Sequence, residues 1–467
     1  LSQHFVKKDG DVIIWMRLRL VASFASWLGN IMELDRSLLS RKIEVIALRI
    51  ETRRTGEYLF KLRDHLLNLP RVRNAVNCGE KKLILLSQRY TDVSQIIEEN
   101  GWLSEKLEST EMSSEKYTIN LDYNHFTADE ALKELLPTEV SIPSSFEQAG
   151  HLIHLNLRPE HEPYKKIIGQ VILDKIKSCR TVVNKIGEIN NEFRTFPLEI
   201  LAGENNTYVI LREHDCSFGF DYSKVYWNSR LSSEHARIVD LMNNLKKHNE
   251  HMLVADATCG AGPFAIPLAK NYVQVLANDL NPAAVDAIQY NGQKNKCLQF
   301  LSVHGPSCAR HFLREQIDSK YTHVIFNLPA TGLDLLDAFR GLKFSSNLPP
   351  LVFCYCFAPK DNKEGTLIPE LQFRLQRALG LSSSDDTPHS ATTHPLPPDS
   401  HRQATQFATD GFLAIRWIRN VSPNKDMFCL TFRVPSACAT LEPILLEERP
   451  SPPAKRPRKS NNEEEAK

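Results

Sequence analysis

Apolar and polar positions along the chain change period in a regular way. Short apolar runs at Met252–Ala255, Val273–Ala277, Gln299–Val303, His323–Phe326 and Leu351–Phe357 have the length of buried strands. Helical patterns separate them: one entered at Ser232 or Ser233, one opened by Pro263 at its first position, then Pro282–Asn295 and Ala309–Gln316. Phe412–Val421 and Met427–Val434 read as an antiparallel hairpin across Pro423-Asn424-Lys425. Five parallel strands followed by a hairpin predict a doubly wound, seven-stranded α/β sheet over 221–436. Upstream, the patterning is shorter and mixed. Strands are expected at Ile43–Ala47 and Lys82–Leu86, with an amphipathic helix at Gly56–Leu69. A second small unit over 117–220 has strands at His151–Leu157, Thr181–Lys185 and Leu198–Ala202, and helices at Ala128–Leu136 and Pro163–Lys177. The expected organisation is two smaller α/β (α+β) domains, 34–110 and 117–220, joined by a polar linker at Glu105–Lys116.

Three other stretches lack that patterning. Ser382–Gln406 is rich in Ser, Thr, Pro and His and reads as a disordered insertion. The tail, 437–467, reads as disordered and carries the basic run Lys455–Lys459, a weak nuclear-signal pattern. Val12–Met32 is apolar, acid-free and contains Arg17 and Arg19; a mitochondrial presequence or leader over 1–33 fits it better than a membrane span. Fifty-seven Lys and Arg against 56 acids leave a net charge of +1, so any nucleic-acid face must come from charge distribution. Arg49, Arg53, Arg54, Lys61, Arg63, Arg71, Arg73, Lys81 and Lys82 cluster in 34–110, as a solvated face or a phosphate-contacting module. The ten cysteines include no C-x-x-C pair, which indicates a reducing compartment without a disulfide framework or structural zinc.

The chemistry concentrates at strand ends. Asp256-Ala-Thr-Cys-Gly260-Ala-Gly262-Pro-Phe joins the first strand of the large sheet to a helix. Its glycines permit a tight turn and close approach to a ligand. Asp279 ends the next strand roughly 20 residues on, where an acid can bind a ribose hydroxyl pair. Ala265 stands where a dinucleotide fingerprint needs a third glycine, and no phosphate-loop lysine motif occurs. Asn327-Leu-Pro329-Ala follows the fourth strand, where side-chain and backbone carbonyls can accept hydrogen bonds from a planar N–H edge.

D-x-x-x-G-x-G-P-F with its downstream acid resembles motif I of Rossmann-like methyltransferases. Together with NEFRTFPLEILAG, KVYWNSRLSSEHARI, ANDLNP, NLPA and SPNKDMFCLTFRVP, it resembles the non-knotted tRNA (guanine-37-N1)-methyltransferases over about Leu34 to Pro435. The resemblance implies a class I methyltransferase fold and S-adenosylmethionine as cofactor. It also implies methyl transfer to N1 of guanosine 37 beside the anticodon, supporting reading-frame maintenance. It carries Glu234 over as general base, Arg194 as the guanine contact and Asn327 as the residue orienting the base. Tyr226, Arg230 and Pro329 become substrate contacts. Cofactor contacts are His235, Asp256, Gly260, Gly262, Asp279, Leu280, Cys308, Ala309 and Asn327. Cys308 departs from the family, which usually carries an acid near the cofactor adenine. No metal and no membrane are expected, tRNA is the partner, and a monomer is expected. The location is cytoplasmic, with mitochondrial matrix and nucleus open. Alternatives are aminocarboxypropyl transfer in the wyosine pathway and a tRNA-binding homologue with impaired catalysis.

Overall fold

The computed structural model describes residues 34–443 except 110, 144–145, 188–192, 194, 248–250, 317–319, 345–348, 361–366, 382–402 and 407–411. Leader, most of the insertion, basic tail run and Arg194 therefore lie outside the described residues. No helix among the described residues is long and apolar enough to cross a membrane. The chain divides into two compact units at Ile210/Leu211.

The first unit contains two sheets. Ala75–Cys78, Lys81–Leu85, Arg41–Glu51 and Ser113–Leu121 form an antiparallel sheet in that spatial order. Glu147–Ala149, Leu152–Leu155, Thr181–Lys185 and Leu198–Gly203 form a mixed one, its parallel pair joined across the helix Lys165–Lys175. The linker expected at Glu105–Lys116 is instead the end of helix Trp102–Glu108 and the start of a strand paired with Arg41–Glu51. One apolar core runs through both segments, from Val45 and Leu83 to Ile153 and Val171. The expected 34–110 and 117–220 domains are thus one unit ending at Ile210: the first sheet closes a core of its own on one face, around Leu48, Tyr58 and Leu103, and shares the core on its other face with the second segment. The helix expected at Gly56–Leu69 is shorter, Thr55–Lys61, followed by a single 3-10 turn. Much of the basic cluster is already paired with acids: Arg49 with Glu115, Arg53 with Glu51, Arg54 and Lys61 with Glu57, Arg63 with Asp64.

The hairpin Tyr208–Glu213/Cys216–Asp221 leads into the second unit. There β1 is Leu253–Asp256, β2 Gln274–Asn278, β3 Leu301–His304, β4 His323–Phe326, β5 Leu351–Pro359, β6 Gln403–Gln406, β7 Phe412–Ser422 and β8 Lys425–Arg433. The helices are α1 Ser232–Lys246, α2 Ala265–Lys270, α3 Pro282–Lys294, α4 Ala309–Glu315 and α5 Leu367–Leu379. The strand order is β3-β2-β1-β4-β5-β8-β7-β6, with β1–β5 parallel and the last three antiparallel to their neighbours. This is the Rossmann-like architecture with eight strands rather than seven. Gln403–Gln406, expected inside the disordered insertion, pairs with β7 as an edge strand. A polar segment read alone gives no sign that its backbone will satisfy an open sheet edge.

Side chains alternate along β5. Cys354 and Cys356 enter the core shared with Phe312 of α4 and Leu371 and Leu375 of α5. Tyr355 points to the opposite face, against Glu234 of α1 and Phe264 just before α2. Two boundaries also shift. Pro263 precedes the helix rather than opening it, since α2 begins at Ala265 after a turn set by Gly262. The beginning of the tail expected over 437–467 is ordered: Ser436–Thr440 forms a turn whose Cys438 is buried and whose carbonyl accepts from Gly341 N–H.

Candidate active site

The loops after β1, β2, β3 and β4 meet at the carboxyl end of the parallel strands, where open α/β sheets bind ligands. Gly260 has φ +55° and Gly262 φ +93°. A Cβ on Gly262 would lie 2.7 Å from Ile266 Cγ1, whereas one on Gly260 would meet no atom of the described residues within 4 Å. The Gly260 amide donates to Asp279 Oδ2 at 2.8 Å, and the Asn281 amide donates to Asp279 Oδ1 at 2.9 Å. Those two bonds fix the acid at the loop edge, where part of its surface faces solvent. Burial raises its pKa, and the amides of Asn281, Gly260 and Leu280 oppose that rise.

Asp256 is different. It is fully buried at the end of β1, and neither carboxylate oxygen has a hydrogen-bond partner among the described residues. Burial, with the nearby Asp279 charge, raises its pKa to about 8. The amides of Thr258 and Ala265 lie close enough to lower it partly, though outside hydrogen-bonding geometry.

Asn278 ties these loops together. Fully buried, it donates from Nδ2 to the carbonyls of Ala257 at 3.1 Å and Ser307 at 2.9 Å. Asn291 of α3, also fully buried, accepts from Gly219 N–H at 2.7 Å and donates to Ala261 O at 2.9 Å. Asn281 donates to Lys224 O at 2.6 Å, which holds the Asp221–Trp227 segment against the β2–α3 loop. Thr258 Oγ1 accepts the Asn327 amide at 2.9 Å, so the loop after β4 hangs from the glycine turn. The Leu328 carbonyl accepts from Thr331 and Gly332, and the Pro329 carbonyl from Phe357. Among the described residues the Asn327 side chain makes no hydrogen bond, which leaves its amide as the acceptor and donor at this strand end.

Glu234 lies in the first turn of α1 and is buried. Arg237 grips it as a fork, Nε to Oε2 and Nη2 to Oε1, both at 2.7 Å. Tyr355 OH donates to Oε1, also at 2.7 Å. Phe326 pairs with Cys354 across β4 and β5, so Asn327 and Tyr355 are the next residues on neighbouring strands. Glu234 and Asn327 are thereby brought to one end of the sheet. His235 is buried beside them, with Nδ1 2.7 Å from Glu213 Oε1 and its ring edge-on to Phe264 at 4.9 Å. Its Nε2 has no partner among the described residues.

Comparison with known proteins agrees with this architecture. The TRM5/TYW2 methyltransferase domain model matches residues 209–344, and the TYW2 N-terminal domain model matches 128–207. A tRNA (guanine(37)-N(1))-methyltransferase of Phytophthora infestans is 38% identical over 419 residues, covering 87% of this chain and 93% of the relative. One from Danio rerio is 33% identical, covering 86% and 82%.

The chain belongs to the tRNA (guanine(37)-N(1))-methyltransferase family.

Two solved structures have the same fold. Trm5b from Pyrococcus abyssi is 21% identical with a TM-score of 0.54, covering 83% of this chain and 99% of that one. A complex of aTrm5 and tRNALeu contains a chain 20% identical with a TM-score of 0.55, covering 84% and 100%.

Within this family member, the structure brings together Asp256, Gly260, Gly262, Asp279, Cys308, Ala309, Glu234 and Asn327. Leu280 is exposed beside Asp279. Ala309 is buried, and Cys308 is a half-buried N-cap of α4 with no side-chain capping bond. Tyr226 is exposed, as is Arg230 in the turn leading into α1; Pro329 is half-buried in the loop after β4. Arg194 lies outside the described residues. Among the described residues no group of three or more His, Cys, Asp or Glu could hold a metal ion. Asn278, Asn291, Thr258, Arg237 and Tyr355 were missed in the sequence. Only Asn278, next to the expected Asp279, carried a signal: a polar residue ending an apolar strand.

Proposed function

We propose that this protein transfers the methyl group of S-adenosylmethionine to N1 of guanosine 37 in tRNA. The observation that carries the reading is similarity along nearly the whole length of enzymes named for that reaction. The relatives named above bear the methyltransferase name, which favours methyl transfer over the aminocarboxypropyl alternative, as do NLPA and VYWNSR.

The residues present fit the cofactor. Asp279 offers a partly exposed carboxylate beside a glycine turn whose Gly260 face is open, and the orphaned oxygens of Asp256 lie beneath it. Gly260, Gly262, Asp279, Leu280, Cys308 and Ala309 would hold its adenosine portion, with Asp256, His235 and Asn327 lining the remainder. When bound, S-adenosylmethionine supplies a methyl carbon already activated by the sulfonium. The chain's task is then positioning and proton removal. Guanine N1 carries a proton and attacks poorly until it leaves. Glu234 takes that proton. Asn327 orients the base edge, with Tyr226, Arg230 and Pro329 around it. Arg194 stabilises charge building on O6. The first unit adds tRNA affinity, with Arg71, Arg73, Lys81 and Lys82 the cations of its cluster that form no ion pair among the described residues. We further propose that the protein works as a monomer in the cytoplasm, with mitochondrial and nuclear pools.

The test is incubation with unmodified tRNA transcripts carrying G or A at position 37, followed by nucleoside analysis. N1-methylguanosine from the G37 transcript alone is expected. An aminocarboxypropyl product, or no product with cofactor bound, refutes the reading.

A further inference from the structure

We infer that Arg237 and Tyr355 are positioning residues that clamp Glu234 so that one acceptor position, on Oε2, is left to take the proton from guanine N1. The inference rests on the methyl-transfer reading above. An ionised carboxylate has about four acceptor positions. Three are filled here: Oε1 by Arg237 Nη2 and Tyr355 OH, and Oε2 by Arg237 Nε. The fourth belongs to Oε2.

The clamp is built from three elements. Arg237 comes from the same helix as Glu234 and Tyr355 from β5. Cys429 of β8, paired opposite Tyr355, also faces the carboxylate. Burial, reinforced by Glu234, pushes the Cys429 thiol up to about 12, so it stays neutral. Tyr355 is fully buried, and burial with the neighbouring Cys429 and Glu234 raises its phenol well above the ordinary value, so its hydroxyl remains a donor. Arg237 therefore supplies the one formal positive charge facing Glu234 among the described residues. Stacking of Phe264 on Tyr355, with ring centroids 6.0 Å apart, fixes where that donor points.

The three donors hold the carboxylate in one rotamer, with one lone pair left to accept. The proton leaves as the methyl bond forms. The N1–CH3 bond forms while the S–CH3 bond breaks, releasing S-adenosylhomocysteine. The N1–H bonding pair returns to the guanine ring, and the proton goes to Glu234 Oε2.

The test is single-turnover N1-methylguanosine formation from pH 5 to 9 at saturating tRNA and S-adenosylmethionine. Wild type, Tyr355→Phe and Arg237→Lys are compared, with cofactor affinity and melting measured in parallel. Removing the phenol hydroxyl takes away one donor to the ionised carboxylate. The acidic limb of the Tyr355→Phe profile should move up by about one pH unit, with cofactor affinity unchanged. Arg237→Lys keeps the charge but loses the fork. It should move the limb in the same direction, and it carries the test if Tyr355→Phe does not fold. A slower rate with an unmoved limb means a merely structural role and overturns the clamp, as does a wild-type profile in both variants. If wild type itself makes no N1-methylguanosine, the functional reading fails and this inference fails with it.

Discussion

Gly260 and Gly262 stand two residues apart, yet Ala should have opposite effects at the two positions. At Gly262, φ +93° is strained for any side chain, and the new Cβ lies 2.7 Å from Ile266 Cγ1 and 3.2 Å from two Ile288 carbons. Both isoleucines are fully buried and have no room to retreat. Strain plus overpacking should cost Gly262→Ala about 2–5 kcal/mol. At Gly260, φ +55° is milder and the Cβ meets no atom of the described residues within 4 Å. The left-handed cost of about 1 kcal/mol is partly offset by the lower entropy of the unfolded chain. Gly260→Ala should therefore unfold in urea near wild type, while Gly262→Ala unfolds at a clearly lower midpoint. Cofactor titration should reverse the ranking for Gly260→Ala, because its methyl projects from the loop toward open space. Its affinity for S-adenosylmethionine should fall about tenfold or more with stability intact, a loss of at least ~1.4 kcal/mol. Equal urea midpoints for the two variants would falsify the packing argument. Wild-type cofactor affinity in Gly260→Ala would mean that the cofactor does not approach this turn.

Glu234→Gln should slow single-turnover methylation by about 10²-fold or more with tRNA binding little changed; a near wild-type rate rules out Glu234 as the base. Thr258→Val removes the acceptor of the Asn327 amide while keeping the side-chain shape. It should cost about 1–3 kcal/mol in urea unfolding and slow methylation, whereas an unmoved midpoint means that the bond anchors nothing. Asp256 has a folded pKa of about 8 against an ordinary 3.8, so the folded state holds a proton that the unfolded state gives up. Its contribution turns unfavourable as pH rises from 4 to 8, and Asp256→Asn should melt above wild type by a margin that grows over that window. A pH-independent margin contradicts the buried, protonated acid. Cys308→Asp should tighten S-adenosylmethionine binding by roughly tenfold through a charge-assisted bond to the adenine amine. Cys308→Ser separates this from capping: it supplies the N-cap of α4 without the charge, and equal gains from both variants would remove the adenine argument.

The parallel strands were legible because each is a short apolar run ended by a polar or glycine-bearing turn. His323–Phe326 was placed to the residue, and the other four parallel strands to within two residues at each end. Asp279 and the two glycines followed from the same pattern, since conformational demand and chemistry fall on one short stretch. The small units were less legible. A polar run suggests a boundary between them, but polar residues also face solvent on an amphipathic helix and on a sheet open on one side. Glu105–Lys116 is both of these in turn.

By itself, then, the sequence determined the alternation of strands and helices, the position of the glycine turn, and the residue types placed at the strand ends. Those depend on local period and on backbone conformations that few residues tolerate. Tertiary structure alone decided which distant side chains complete the site. Tyr355 looked like one more apolar position in a core strand, and Arg237 like a surface charge on a helix. They act together on Glu234 only because the alternation of β5 turns Tyr355 away from Cys354 and Cys356 toward α1, 121 residues away in the chain. Asn278 and Asn291 likewise became structural ties only when folding buried them against backbone groups that had lost water. A buried polar group must find a partner, and which partner it finds is a property of the packed chain.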